Sequence, residues 1–164
     1  MLARVKMSFA LASLLYVFAL QFVLQFIVSL PAQIGQWGQT SVGAVGIAGA
    51  ALAAFGIAFE SLADWQLTRF KSDPANAGRV MDRGLWRYSR HPNHFGDACV
   101  WWGLYLVAAE SPYGFWTFPA PMLMTYLLTS WSGAPTVEGR MRRRPGYAAY
   151  VARTPRLVPW FPKL

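Results

Sequence analysis

Four strongly apolar segments alternate with polar connections along the chain. The first, Ser8 to Leu30, contains 23 residues and no charged side chain. The others run from Val42 to Ala63, from Gly96 to Ala109 and from Phe115 to Trp131. As a helix rising about 1.5 Å per residue, the first is long enough to cross a hydrocarbon core of about 30 Å. The pattern predicts an all-α fold, a polytopic membrane helical bundle of about four transmembrane helices with additional short cytoplasmic helices.

The second, third and fourth segments have features that predict how their helices pack and begin. The third is short for a span, so we expect its helix either to begin earlier, among the polar residues before Gly96, or to tilt into protein. Pro119 and Pro121 are expected to kink the fourth segment or to delay its regular start. The second segment carries small residues that predict close helix packing. These are Gly43, Gly46, Gly49, Ala50, Ala53 and Ala54.

The polar connections carry turn and helix signals. Between the second and third segments, Asp73-Pro74 and Asn76-Ala-Gly78 predict either two short helices or a helix extension followed by a loop. After the fourth segment, Glu138 to Arg144 is predicted to be helical. Three prolines then predict an extended tail, Pro155, Pro159 and Pro162. No internal repeat is present, so the sequence predicts one membrane domain over residues 1–164.

Composition and charge favour a membrane protein over a soluble one. Charged residues make up 13% of the chain, against about 25% in typical soluble domains. The net charge of +8 comes from fifteen Lys and Arg in three groups, at Arg4 and Lys6, from Arg69 to Arg90 and from Arg140 to Lys163. Four spans place all three groups on one side, which predicts cytoplasmic N- and C-termini. We therefore expect the basic residues to face the lipid bilayer or an anionic cofactor, and we expect no nucleic-acid partner.

Acidic side chains at the end of the second apolar segment are the first candidate site residues. On a helix, Glu60, Asp64 and Lys71 share one face. Acidic groups beside an apolar zone are costly, which favours a functional role for Glu60 and Asp64. The structural alternative is a helix end in which they pair with Arg69 or Lys71.

The polar sequence RYSRHPNHFGD, residues 87–97, stands at the entrance to the third apolar segment. Arg87 and Arg90 are three residues apart and are expected to form a two-armed clamp for phosphate or carboxylate. His91 precedes Pro92, which predicts a break that exposes hydrogen-bond donors. Arginine snorkelling with a helix cap is the structural alternative. The density of polar side chains favours an anion- and hydroxyl-binding pocket completed by Asn93, His94 and Asp97.

A third polar cluster follows the fourth apolar segment. Most of its residues are typical of a solvated basic face at lipid headgroups. Glu138, placed among arginines, is expected to orient one of them toward a ligand. The sequence has no zinc-ligand spacing, phosphate-cradling loop, nucleophile elbow or Rossmann-type fingerprint, so no metal site is predicted. The cluster comprises Glu138, Arg140, Arg142, Arg143, Arg144, Tyr147 and Tyr150.

The three polar regions together resemble a known family. The strings ADWQLTRFK, GLWRYSRHPNHFGD and EGRMRRRPGYAAYVARTPRLVPWFPK look like bacterial membrane proteins related to the C-terminal domain of steroid 5-alpha-reductase, formerly a domain of unknown function. The resemblance covers residues 59–163. It implies an all-helical fold in the bacterial inner membrane. It also implies NADPH-dependent reduction of a carbon-carbon double bond conjugated to a carbonyl, in a steroid-like or other hydrophobic lipid substrate.

The resemblance also implies which residues bind the cofactor. Glu60, Asp64 and Lys71 match the family's acidic or amide residue, its aspartate four positions on and its basic residue seven further. His94 and Asp97 stand where bacterial relatives usually have tyrosine and glutamate. The residues assigned to NADPH are Glu60, Asp64, Lys71, Arg87, Arg90, His91, Asn93, Asp97 and Glu138.

The resemblance leaves the catalytic residues unassigned. The substrate-activating Glu and Tyr of steroid reductases belong to an N-terminal half without a counterpart among the four segments. We therefore expect either a chain truncated at its start or a short family member whose catalytic acid lies elsewhere. The proton-donor candidates are Tyr88, His94, Tyr105 and Tyr126.

Two other functions compete with the reductase. Arg90-His91-Pro92 and the later Glu138 also resemble isoprenylcysteine carboxyl methyltransferase, a related membrane fold that uses S-adenosylmethionine. Asp64 with Gln66, and Asn93 with Asp97, favour the reductase group. A non-catalytic membrane scaffold is the third hypothesis, supported by the missing spans and opposed by the polar motifs.

Overall fold

The computed structural model describes residues 14–37, 41–131 and 134–163, and every regular element in these ranges is helical. The predicted all-α class is therefore confirmed for this part of the chain. Short π-helical segments, Leu14–Ala19 and Leu127–Trp131, adjoin the first and fourth α-helices. Single 3-10 turns cover Pro74–Asn76, Gly84–Arg87 and Gly114–Thr117. The α-helices are α1 (Leu20–Ile34), α2 (Ala44–Ser72), α3 (Pro92–Ala108), α4 (Pro119–Tyr126), α5 (Ala134–Met141) and α6 (Tyr147–Arg153).

Among the described residues, two helices are long and apolar enough to cross a membrane, Tyr16–Ile34 and Ala44–Ser72. Most of their apolar side chains are exposed, including Phe22 on α1 and Ile57 on α2. Two such helices, judged by length and composition, suggest a membrane protein. The helices of the third and fourth apolar segments are shorter, so four spans stay a prediction. Residues 8–13 of the first predicted span, with Arg4 and Lys6, lie outside the described ranges.

Helices α2 and α3 form the most extensive contact of the fold. A Cβ atom added to Gly103 would lie 2.5 Å from the carbonyl oxygen of Gly49 and 2.6 Å from the backbone nitrogen of Ala53. Gly56 and Gly96 meet in the same way, because a Cβ on Gly56 would lie 2.5 Å from the carbonyl oxygen of Gly96. The predicted small-residue surface is confirmed at Gly49 and Ala53. Two backbones in direct contact fix the polar ends of both helices side by side.

The third and fourth segments depart from uninterrupted spans. Helix α3 begins at Pro92, four residues before the predicted start, so its first turns carry Asn93 and Asp97. Proline is favoured at this first position because its missing N–H has no partner inside the helix. In the fourth segment, a 3-10 turn precedes the α-helix, whose regular start is delayed to Pro119 as predicted.

Helix α2 is longer than its apolar segment. It continues nine residues past Ala63 to Ser72, which confirms the expected helix extension. At its other end, the Glu110 carboxylate accepts hydrogen bonds from the backbone N–H of Gly43 at 2.7 Å and of Val45 at 3.1 Å. This cap satisfies donors that have no partner within the helix. No local sequence pattern predicts this role of Glu110.

The C-terminal tail, residues 154–163, has no regular secondary structure, but it is not extended as its prolines predict: the N–H of Lys163 donates to the carbonyl oxygen of Arg153 at 2.9 Å, so the tail returns to the end of α6. It follows the segment before α3, where the N–H of Arg90 donates to the carbonyl oxygen of Pro155 at 2.9 Å. The N–H of Trp160 donates to the carbonyl oxygen of Tyr88, also at 2.9 Å. Of the helix predicted over Glu138 to Arg144, the structure has the first half, within α5, which ends at Met141.

Candidate functional site

A group of carboxylates and amides lies where the polar ends of α2 and α3 meet. The side-chain amide of Asn93 donates to Oδ1 of Asp64 at 3.0 Å. The carboxylates of Glu60, Asp64 and Asp97 are near enough for their charges to interact. The indole N–H of Trp101 donates to Asp97 at 2.9 Å. We call Glu60, Asp64, Asn93 and Asp97 the carboxylate group; it can accept hydrogen bonds from hydroxyl groups or amides.

Two stacked histidines adjoin the carboxylate group. The rings of His91 and His94 lie 5.0 Å apart at an angle of 12°. His91 is buried, and burial lowers its pKa from 6.5 to about 4 against the opposing effect of Glu138. The ring is therefore neutral at pH 7, and Nε2 carries the proton that it donates to Oε1 of Glu138 at 3.0 Å. This hydrogen bond fixes both the tautomer and the orientation of His91.

Glu138 is the centre of a basic cluster. Its Oε1 also lies 2.9 Å from a guanidinium nitrogen of Arg90 and 3.6 Å from Nε of Arg156. Glu138 and Arg90 are both largely buried, which strengthens their attraction relative to a pair in water. Glu138 pairs with arginines, but with Arg90 and Arg156 and not with one of the neighbouring arginines as predicted. Its second basic partner, Arg156 of the tail, was not identified from the sequence.

A cavity of about 320 Å³ opens beside this cluster, between the end of α2, the loop at residues 79–81, α5 and α6. Five of its lining side chains are cations, and none is a carboxylate. Aromatic and aliphatic side chains form the rest of its wall, with Phe70 and Met81 among them. An acid-free cavity of this kind suits an anion that also has a flat apolar part. The cations are Lys71, Arg79, Arg90, Arg140 and Arg144.

Tyr150 joins the cavity wall to the segment before α3 that contains Trp86. Its hydroxyl donates to the carbonyl oxygen of Trp86 at 2.6 Å. The indole N–H of Trp86 in turn donates to the carbonyl oxygen of Ala63 on α2 at 3.0 Å. Burial raises the pKa of Tyr150, so its hydroxyl keeps its proton and remains a donor. These bonds hold α6, the motif and α2 together around the cavity.

The structure places the predicted cofactor residues in two adjacent sets. Lys71, Arg90 and His91 line the cavity, and Glu138 contacts two of them. Glu60, Asp64, Asn93 and Asp97 form the carboxylate group, with the histidine stack between the two sets. Arg87 is exposed and does not line the cavity. Its predicted clamp with Arg90 stays a prediction.

Five cations and tyrosines of the cavity lining are not among the residues that the sequence assigns to the cofactor. Arg140, Arg144, Tyr147 and Tyr150 belong to the cluster interpreted as a solvated basic face. Arg79 had no recognisable signal, because it is a single cation in a loop. None of the proton-donor candidates, Tyr88, His94, Tyr105 and Tyr126, lines the cavity, but His94 stacks on His91, which does.

Comparison with known proteins gives one match. A family model described as "Protein of unknown function (DUF1295)" matches residues 1–154, a range that contains the cavity and the carboxylate group. The match ends before most of the tail. No curated protein and no solved structure matches the chain.

Proposed function

We propose that this chain, which belongs to the DUF1295 family, is a membrane oxidoreductase that uses NADPH to reduce a carbon-carbon double bond conjugated to a carbonyl. The substrate is a steroid-like or other lipid. The observation that carries the proposal is the cavity with five cations and no carboxylate, next to a separate group of carboxylates and an amide. The reaction class comes from the resemblance of the polar motifs to the steroid 5-alpha-reductase group.

The residues present fit the two chemically different parts of a nicotinamide dinucleotide. Its phosphates need several cations, and guanidinium groups bind phosphate through paired N–H donors. Its ribose hydroxyls and carboxamide need acceptors and donors, which Asp64 and Asn93 supply. Oδ1 of Asn93 and Nδ1 of His94 are buried without a hydrogen-bond partner in the described part of the chain. Unpaired buried polar atoms call for an explanation, and in this proposal a polar part of the cofactor hydrogen-bonds to them.

Bound NADPH supplies the hydride. The chain's own residues have the tasks of holding phosphates, orienting the ring and moving one proton. Glu138 holds Arg90 toward the cavity and orients His91, whose burial keeps its ring neutral. Polarising the substrate carbonyl requires a hydrogen-bond donor at its oxygen. Of the four sequence candidates, His94 is the one that stacks on a residue of the cavity lining, His91, so we assign it this task within the proposal.

The proposal places the chain in the bacterial inner membrane as a four-helix bundle. Helices α1 and α2 cross the bilayer, and α3 and α4 complete the bundle against them. The cavity then lies on the side that carries the basic residues, which is the cytoplasmic side by the positive-inside rule. Both termini lie on that side, where NADPH is available.

A second candidate is an S-adenosylmethionine-dependent methyltransferase. One observation favours it: Glu138 contacts both Arg90 and His91 directly. The Arg-His-Pro motif and the later glutamate, which carry the resemblance to the methyltransferase, therefore meet in the structure. The cavity favours the reductase, because five cations repel the positively charged sulfonium and attract a polyphosphate.

Titration of the detergent-purified protein with NADPH and with S-adenosylmethionine separates the candidates. We expect saturable binding of NADPH alone, and loss of that binding in Asp64→Ala and in Arg90→Ala. Arg143→Ala is the matched control, because Arg143 is exposed and outside the cavity lining. It is expected to keep the wild-type affinity.

The other outcomes are equally informative. Saturable binding of S-adenosylmethionine alone selects the methyltransferase. Binding of neither compound rejects both enzymes and supports the scaffold. Unchanged NADPH affinity in both Asp64→Ala and Arg90→Ala overturns the assignment of the cofactor site. The helical signal in the far-UV circular dichroism spectrum of each variant shows whether a loss of binding reflects a loss of fold.

A further inference from the structure

The tail carries exposed aromatic side chains that the proposed reaction does not use. Trp160 and Phe161 are 70% and 75% exposed, and Val158 is 59% exposed. Phe161 packs edge to face on Tyr88, with ring centroids 6.1 Å apart. We call Tyr88, Val158, Trp160 and Phe161 the tail patch. Two neighbouring aromatic rings this exposed are unusual on a surface that faces only water.

Hydrogen bonds fix the depth of the tail patch relative to α2. Trp86 donates to the carbonyl oxygen of Ala63, and Asn93 donates to Asp64, each at 3.0 Å. The segment between Trp86 and Asn93 therefore lies level with residues 63 and 64 of α2. Because the tail bonds to Tyr88 and Arg90 within this segment, the tail lies at that level too.

At this level, α2 changes from apolar to charged. Ala63 ends the apolar segment, and Asp64 begins the polar extension. The next residue, Trp65, is exposed, and the guanidinium of Arg69 lies over its ring, 5.5 Å from the ring centroid. A tryptophan with an arginine at the end of an apolar helix is typical of a membrane–water interface.

The charges around the tail patch match an anionic surface. Residues 154–163 include Arg156 and Lys163 and no acidic side chain. Arg87, one residue before Tyr88, is exposed as well. Exposed aromatic rings flanked by cations bind the headgroup region of anionic leaflets, where each cation near the surface contributes about 1 kcal/mol.

We propose that the tail patch inserts into the headgroup region of the anionic leaflet of the bilayer that holds the chain. This inference rests on the membrane placement in the proposed function, and it is independent of the cofactor and the reaction. Lipid contact then presses the tail against Tyr88, Ser89 and Arg90. The hydroxyl of Ser89 contributes to this attachment by donating to the carbonyl oxygen of Leu157 at 2.7 Å.

A nitroxide label at Val158 tests the depth of the patch without removing its rings. Val158→Cys is labelled in a Cys99→Ala background, since Cys99 is the single cysteine of the sequence. The protein is reconstituted into phosphatidylcholine vesicles, with or without an equal part of phosphatidylglycerol. Collisions with oxygen, which concentrates in lipid, are compared with collisions with a water-soluble nickel chelate.

The matched control is a label at Ser72→Cys. Ser72 ends α2 eight residues beyond Asp64, which is about 12 Å further along the helix axis. We expect the label at 158 to collide more often with oxygen than with the nickel chelate, most strongly in vesicles with phosphatidylglycerol. The label at 72 is expected to collide more often with the nickel chelate. Adding Trp160→Ser and Phe161→Ser is expected to shift the label at 158 toward nickel.

The inference is overturned if the label at 158 collides more often with the nickel chelate than with oxygen in both vesicle types. It is also overturned if the two serine substitutions leave these collision frequencies unchanged. Protein that remains soluble without detergent and does not enter vesicles overturns the membrane placement itself. Because the label reports depth and not binding, NADPH titration of the same vesicles shows separately whether the proposed cofactor site fails.

Discussion

At the scale of single residues, one carboxylate organises the basic side of the site. Glu138 contacts Arg90, His91 and Arg156, which come from the motif before α3 and from the tail. The sequence predicts that Glu138 orients a neighbouring arginine, because an acid among arginines pairs locally, but its partners Arg90 and Arg156 are distant in the sequence. It does not predict the contact with His91, because the two residues are 47 positions apart and meet only through the fold.

The neutral state of His91 predicts how stability depends on pH. Burial lowers the pKa of His91 from 6.5 in the unfolded chain to about 4 in the folded protein. The unfolded chain therefore binds the proton first as the pH falls. The contribution of neutral His91 is complete above pH 6.5, and we expect it to be lost as the pH drops toward 4. Thermal unfolding followed by circular dichroism between these pH values measures the loss.

His91→Gln is the comparison for this prediction. Its amide keeps a donor for Glu138 but does not titrate, so the decrease in unfolding temperature between pH 6.5 and 4 is expected to be smaller than in the wild type. Identical pH profiles for the two proteins would contradict the assignment.

At the scale of elements, local patterns predict which segments are helical better than where the helices start and how they pair. The small residues of α2 are visible in the sequence because they share a face, and the structure uses Gly49 and Ala53 in the contact. Their partners, Gly96 and Gly103, carry no comparable signal within the third segment. The cap from Glu110 is equally hidden, since it joins two loops more than sixty residues apart.

The glycine contact predicts the effect of a single methyl group. In Gly103→Ala the new Cβ would meet backbone atoms of Gly49 and Ala53, which cannot move aside as a flexible side chain can. We expect a loss of stability of about 1–3 kcal/mol, the usual cost of overpacking. Thermal unfolding in detergent measures it.

Gly139→Ala is the matched control. Gly139 also lies in a helix, but a Cβ there has no atom within 4 Å. Its substitution is expected to leave stability unchanged or to raise it by up to about 1 kcal/mol, because alanine is the better helix former. Equal effects of the two substitutions would show that the α2–α3 contact does not limit the packing.

At the scale of the whole molecule, apolar segments and the placement of cations predict a helical membrane protein, and two helices agree with it. The cavity was not predictable as a whole. Its wall combines the end of α2, a loop, α5 and α6, which no local pattern brings together. The polar motifs were recognisable because each concentrates its residues within about one or two helical turns. The arginines of α5 and of the turn after it were assigned to a lipid surface. A run of arginines looks the same in the sequence whether it contacts lipid headgroups or lines a ligand cavity.

The α2–α3 glycine contact has a mechanical consequence for ligand binding. Two helices in backbone contact move as one rigid body, so any closure around a ligand must come from the opposite wall. That wall includes α5, whose one buried residue is Ala134. With NADPH, we expect slower hydrogen exchange at the amides of residues 134–144 and unchanged exchange at residues 96–103, measured by mass spectrometry. Slowing confined to residues 96–103 would contradict this division. Helices α2 and α3, locked together by their glycines, then form the fixed side of the site, and α5, which carries an arginine of the cavity, forms the mobile side.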